Sequence, residues 1–184
     1  MAIQILPVGR IEPEIIDDLR GDLEREFGFK AAAGKAAKEP VFAYDAQRGQ
    51  YNSTAILYSI ADRPDIFDYE RIVGVAGFDL FASGLNFVFG EAGSKAAVIS
   101  LFRLNESFYG RAEDRAILRR RVLTEAAHEL GHTFGLGHCT DPGCVMFFSN
   151  TIHDTDMKGP YFRGECLRRL LDFGVIIDQL GGFK

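Results

Sequence analysis

Cysteine is scarce in this 184-residue chain: there are three, all downstream of residue 138. Three thiols are too few for a disulfide framework, which excludes the small, disulfide-stapled secreted class. No apolar stretch approaches the roughly 20 residues that cross a bilayer, so no membrane partner is expected. The opening MAIQILPVGRIEPE has neither a basic n-region nor a small-residue cleavage site. These absences lead us to expect a cytoplasmic protein. Positive charge is also lacking: 21 Lys and Arg stand against 26 Asp and Glu, for a formal net charge of −5. That excludes a broad basic field for nucleic acid. The one basic run, Arg119 to Arg121, falls on an expected helix and reads as a solvated face. Repeats, low-complexity tracts and obvious linkers are missing too, and the length suits one compact domain over 1–184.

The chain has the pattern of an α/β protein. AIQILPV reads as a short buried strand. Pro13 suits the first turn of a helix running to about Phe27, with Ile15, Ile16, Leu19, Leu23 and Phe27 at helical spacing. Ala31 to Pro40 fits a strand edge or a loop. A second helix is expected over about Gln50 to Ala61, with Pro64 after it as a stop. Three strand-like runs follow: IVGVAGFDLF, LNFVFGEA and KAAVISLFRL. A long helix is expected from about Asp114 to Phe134, and a last one over about Gly164 to Phe173, stopped by Gly174. Strands interleaved with helices imply a sheet flanked by helices.

Three of the four histidines sit in one eleven-residue segment, His128-Glu-Leu-Gly-His132-Thr-Phe-Gly-Leu-Gly-His138. Residues four apart on a helix share a face, about 6 Å apart along the axis, so His128 and His132 can offer nitrogens to one ion. Gly135 permits the positive φ that ends a helix abruptly, which would return His138 to the same ion. Three neutral imidazoles leave a tetrahedral zinc one open position, where water becomes acidic enough to supply hydroxide near neutral pH. Glu129, next to His128, projects beside such an ion and suits a general base. A lone histidine is usually a satisfied core or surface side chain, and His153 is read that way. The full pattern would arise by chance about once in 10⁵ chains of this length, which decides for the metal site. With a methionine turn beyond it, the pattern is the metzincin signature.

Past His138 the chain continues Cys139-Thr-Asp-Pro-Gly-Cys144-Val-Met146, and later Arg163-Gly-Glu-Cys166. This resembles the archaemetzincins, as do QRGQYNST and GLNFVFGEA upstream. The resemblance implies a metzincin-like α/β fold. Its twisted mixed sheet and long zinc helix would form an upper subdomain over about 1–135, with a small lower one over about 136–184. It implies a zinc-dependent peptidase acting on peptide or protein substrates, with Met146 as an apolar floor beneath the metal. LNFVFGEA is the candidate antiparallel edge strand for pairing with an extended substrate; a plain core strand is the alternative.

The resemblance further implies a structural zinc on four cysteines, but Arg163 stands where one of them is expected. Two outcomes are open. Cys139, Cys144 and Cys166 keep a zinc, with water, His153, Asp141 or Asp154 as fourth ligand, or the zinc is lost and Arg163 holds the loop. Phe147 and Phe148 fall where metzincins shape the pocket beyond the scissile bond. Phe148 also takes the place of a tyrosine that some metzincins carry near the metal, so no tyrosine donor is expected. The competing functional reading is a zinc-stabilised peptide-binding protein with little catalysis; Glu129 argues against it, because binding alone needs no base.

Overall fold

The computed structural model describes residues 2–28 and 30–175. β1 (Ala2–Val8) leads into α1 (Pro13–Phe27), which Pro13 opens and Gly28, at φ 63°, closes. The chain returns as β2 (Lys30–Ala33), so the segment left open between strand and loop is a four-residue strand followed by irregular chain. A small outer sheet is built from β3 (Tyr44–Asp45) and β4 (Gln50–Asn52). α2 (Ser53–Ala61) starts three residues later than expected, because Gln50 to Asn52 pair as a strand and Asn52 caps the helix by accepting from the Ala55 N–H. Then come β5 (Arg71–Ala76), β6 (Leu80–Phe81), β7 (Gly90–Ala92) and β8 (Ala96–Ser100). α3 (Arg115–Thr133), α4 (Ile152–Lys158) and α5 (Gly164–Asp172) complete the described chain.

The main sheet has the order β2-β1-β5-β8-β7, parallel except for antiparallel β7 at one edge. Period-two alternation divides its side chains between two faces. Ile3, Ile5, Val73, Val75, Ala97 and Ile99 meet α1 and α3. Leu6, Val8, Ile72, Ala76, Ala96 and Val98 meet α2 on the other face. Gly74 permits the close approach of α2: a Cβ there would lie 2.7 Å from Ile60 Cδ1.

The described chain beyond residue 135 packs into the main core instead of building one of its own. Leu136, Val145, Met146, Phe162 and Leu170 are buried in the cluster that holds α1, α3 and the inner sheet face. Arg121, 2% exposed, clamps this region: it pairs with Asp156 on α4 at 2.7 Å and with Glu106 after β8 at 2.6 Å.

LNFVFGEA forms the expected antiparallel edge only over its last residues, Gly90 to Ala92; residues 85–89 run as irregular chain above the cleft, with one bridge from Val88 to Leu80. KAAVISLFRL likewise ends as a strand at Ser100, where the Ser100 hydroxyl accepts from the Phe102 N–H and the chain turns.

Candidate metal centre and cleft

α3 carries the site, and both its ends are sequence-encoded. Asp114 caps it by accepting from the Ala116 and Ile117 N–H groups at 2.9 and 3.0 Å. Gly135, at φ 80°, reverses the chain, and the Leu136 N–H closes back on Gly131 O at 3.1 Å. His138 therefore returns to α3, and the ligand nitrogens of His128, His132 and His138 all lie within 4.8 Å of one another.

Each helical histidine is oriented by a carbonyl. His128 Nδ1 sits 2.7 Å from Val145 O and His132 Nδ1 2.8 Å from Leu136 O. A carbonyl only accepts, so both Nδ1 atoms carry the proton and both Nε2 lone pairs are free. Those two Nε2 atoms face each other at 3.2 Å with no proton between them. Ligands on a tetrahedral ion at zinc–nitrogen distance stand about 3.3 Å apart, so the donor set fits zinc. Burial lowers all three histidines below their ordinary range, His128 furthest, and Lys158 adds to the effect. They are neutral at pH 7, as ligands must be.

Met146 is fully buried against Gly131, where a Cβ would collide with its sulfur. The Cys139 N–H donates to Met146 O at 2.8 Å. The methionine turn thus ties the returning chain to the underside of α3. Glu129 is buried beside Gly90 of β7, whose Cβ would lie 2.7 Å from Glu129 Oε1. Burial first, then the charge of Glu125, holds its carboxyl well above the usual range, against the opposing pull of Lys158.

A cavity of about 250 Å³ opens beside His128 and Glu129. Phe87 and Phe148 are among its walls, and the Phe148 ring packs on His138 at 4.9 Å. A profile of peptidase family M54 matches residues 35–172. The chain belongs to that family. Archaemetzincin from Methanocaldococcus jannaschii is 43% identical over 179 residues, 96% of this chain and 97% of that protein. The crystal structure of archaemetzincin from Archaeoglobus fulgidus, complexed with malonate, superposes with a TM-score of 0.80 at 38% identity, covering 92% of this chain and 99% of that one. The Methanopyrus kandleri archaemetzincin structure gives 0.80 at 35%, covering 94% of each. The chain is accordingly a zinc metallopeptidase of the archaemetzincin family, with a metzincin-like α/β fold.

Downstream of the histidines, the Cys139, Cys144 and Cys166 sulfurs also lie within 4.8 Å of one another. Asp141, Asp154 and His153 do not join that cluster among the described residues. Asp154 closes a capping box on Thr151, Asp141 accepts from the Gly143 N–H, and His153 is exposed. The Arg163 guanidinium lies over Gly143 in the cysteine loop, where a Cβ would be 2.5 Å from Nη1. Burial, then the neighbouring cysteine Cys144, pushes the Cys166 thiol up to about 12.

Sequence reading missed the charged lining of the cavity. Lys158 Nζ is fully buried, 3.3 Å from Glu125 Oε1 and 3.2 Å from Phe147 O. One signal was available: Thr151 followed by Asp154 is a capping box, and it announces α4, which ends on Lys158.

Proposed function

We propose that this protein hydrolyses peptide bonds at a zinc held by His128, His132 and His138, with Glu129 as general base. The observation that carries the reading is the pair of Nε2 atoms at 3.2 Å, each ring held by a carbonyl at its Nδ1. When bound, zinc supplies a Lewis acid that makes a water acidic and polarises a carbonyl. Glu129 takes a proton from the attacking water and passes it to the leaving amine. Burial raises its carboxyl well above the ordinary carboxylate range, which makes it a stronger proton acceptor than an exposed glutamate.

The edge of β7 supports an extended substrate. Phe89 O and Gly93 N–H bond to β8, so strand alternation directs the backbone groups of Gly90 and Ala92 outward. A peptide pairing there would run past Glu129, which abuts Gly90 from the α3 side. Phe148 and Phe87 form the apolar part of the pocket. Met146 serves as the floor and ligates nothing. The division into parts above and below the cleft at about residue 135 follows the Gly135 reversal, and the cytoplasm is the compartment we assign, on the strength of three unbridged thiols.

A second zinc on Cys139, Cys144 and Cys166 belongs to the same proposal, with water in the fourth position. Three close thiolates repel one another without a cation. With zinc they carry a net charge of −1, which the Arg163 guanidinium over Gly143 offsets where the family has a fourth thiolate.

Glu129→Gln is expected to keep its zinc while peptide cleavage falls on the order of a hundredfold to ten-thousandfold. His132→Ala should lose both. Full cleavage by Glu129→Gln would end the assigned mechanism, and it is read with a peptide library and mass spectrometry. Metal analysis should give two zincs per chain in the wild type and one in Cys144→Ser; one in the wild type refutes the second site.

A further inference from the structure

The cavity beside the histidines is not uniformly apolar, and its polar groups are incompletely satisfied. Lys158 has three ammonium protons and reaches two acceptors, Glu125 Oε1 and Phe147 O. Its third neighbour, His128 Nδ1 at 3.3 Å, is no acceptor, because that nitrogen already donates to Val145 O. One N–H of a fully buried ammonium is therefore left over, and Lys158 lines the cavity. Ser149 lines it too, and its buried hydroxyl has no hydrogen-bond partner among the described residues. Glu125 completes the set: Oε1 accepts from Thr155 and pairs with Lys158, and the residue lines the same cavity. Buried polar groups without partners are rare in folded proteins and ask for an occupant.

We propose that this cavity takes a substrate side chain ending in a carboxamide, glutamine or asparagine, in preference to an aliphatic or an acidic one. A carboxamide oxygen accepts from Lys158 and Ser149, while its amide N–H donates to Glu125. The aromatic walls Phe87 and Phe148 cover the methylene stem. A leucine side chain would leave the ammonium and the hydroxyl stranded. A carboxylate would satisfy Lys158 but meet the like charge of Glu125. The selectivity rests on the peptidase reading only in that the cleft binds substrate beside the zinc.

The test uses three peptidyl hydroxamates that differ in one side chain, Gln, Glu or Leu, next to the zinc-binding group. They are titrated calorimetrically into the zinc-loaded protein. The Gln compound is expected to bind at least about tenfold more tightly than either of the others, the discrimination expected of a site built to hydrogen-bond its ligand. In Ser149→Ala the Gln-to-Leu ratio should fall severalfold. Lys158→Met strands Glu125 and risks misfolding, so the pair is removed together: Lys158→Met with Glu125→Leu should invert the preference toward Leu. Equal or tighter binding of the Leu compound overturns the inference. Tightest binding of the Glu compound overturns the carboxamide assignment, and failure of all three to bind overturns the cavity as a subsite. Gln-selective binding without cleavage of any peptide would strike the peptidase reading alone.

Discussion

Gly90 and Gly131 do the same physical work on opposite sides of α3: each leaves empty a space that a methyl group would fill. At Gly90 the space belongs to Glu129. Gly90→Ala is expected to push the carboxylate aside and lower kcat at least about tenfold, since a small misplacement of a catalytic group costs that much or more. Zinc content should be unchanged, as measured by metal analysis alongside kcat. At Gly131 the space belongs to Met146, and neither side chain nor helix can yield easily. Gly131→Ala should destabilise the protein by about 1–3 kcal/mol through overpacking, read from the urea midpoint. The histidines and Glu129 were legible in the sequence because their relation is local, set by helical spacing and one glycine reversal. Glu125, Lys158 and Gly90 were not. Their meaning arises only where β7 and α4 come to lie against α3, and no local pattern encodes that meeting.

At the level of elements, α3 was the most legible part of the chain. Asp114, the apolar stripe and Gly135 mark its bounds to within a residue. Its N-cap lies far along the helix from the ligands, so Asp114→Ala should cost about 1 kcal/mol of stability. It should leave kcat/KM and zinc stoichiometry at their wild-type values. Edges and short pieces were read less well. LNFVFGEA alternates like a strand throughout, yet only three of its residues join the main sheet; Phe87 and Phe89 pack on each other at 5.3 Å instead, and the Arg103 guanidinium sits over Phe87. α4 has seven residues, with Ile152 as its one buried large apolar side chain, too short a stripe for periodicity to detect. The early end of β8 and the late start of α2 have the same origin: side-chain hydrogen bonds from Ser100 and Asn52 redirect the backbone within otherwise apolar runs.

For the molecule as a whole, the Arg121 clamp makes stability depend on pH. Burial alone would raise the Glu106 carboxyl, but Arg111 and Arg121 outweigh it and hold Glu106 below its ordinary value of about 4.5. A carboxyl depressed in the folded state stabilises above its unfolded pKa, and that contribution fades as pH falls through the folded one. The urea midpoint should therefore drop on acidification below about pH 4.5, and Glu106→Gln should show a shallower drop over the same range.

That clamp, and the apolar cluster running without interruption from α1 through Met146 to Leu170, join the roof and the floor of the groove in one piece. Its walls are not independent bodies that can swing apart to admit bulk. The shape that a substrate meets is therefore fixed when the chain folds, not by a hinge between two bodies.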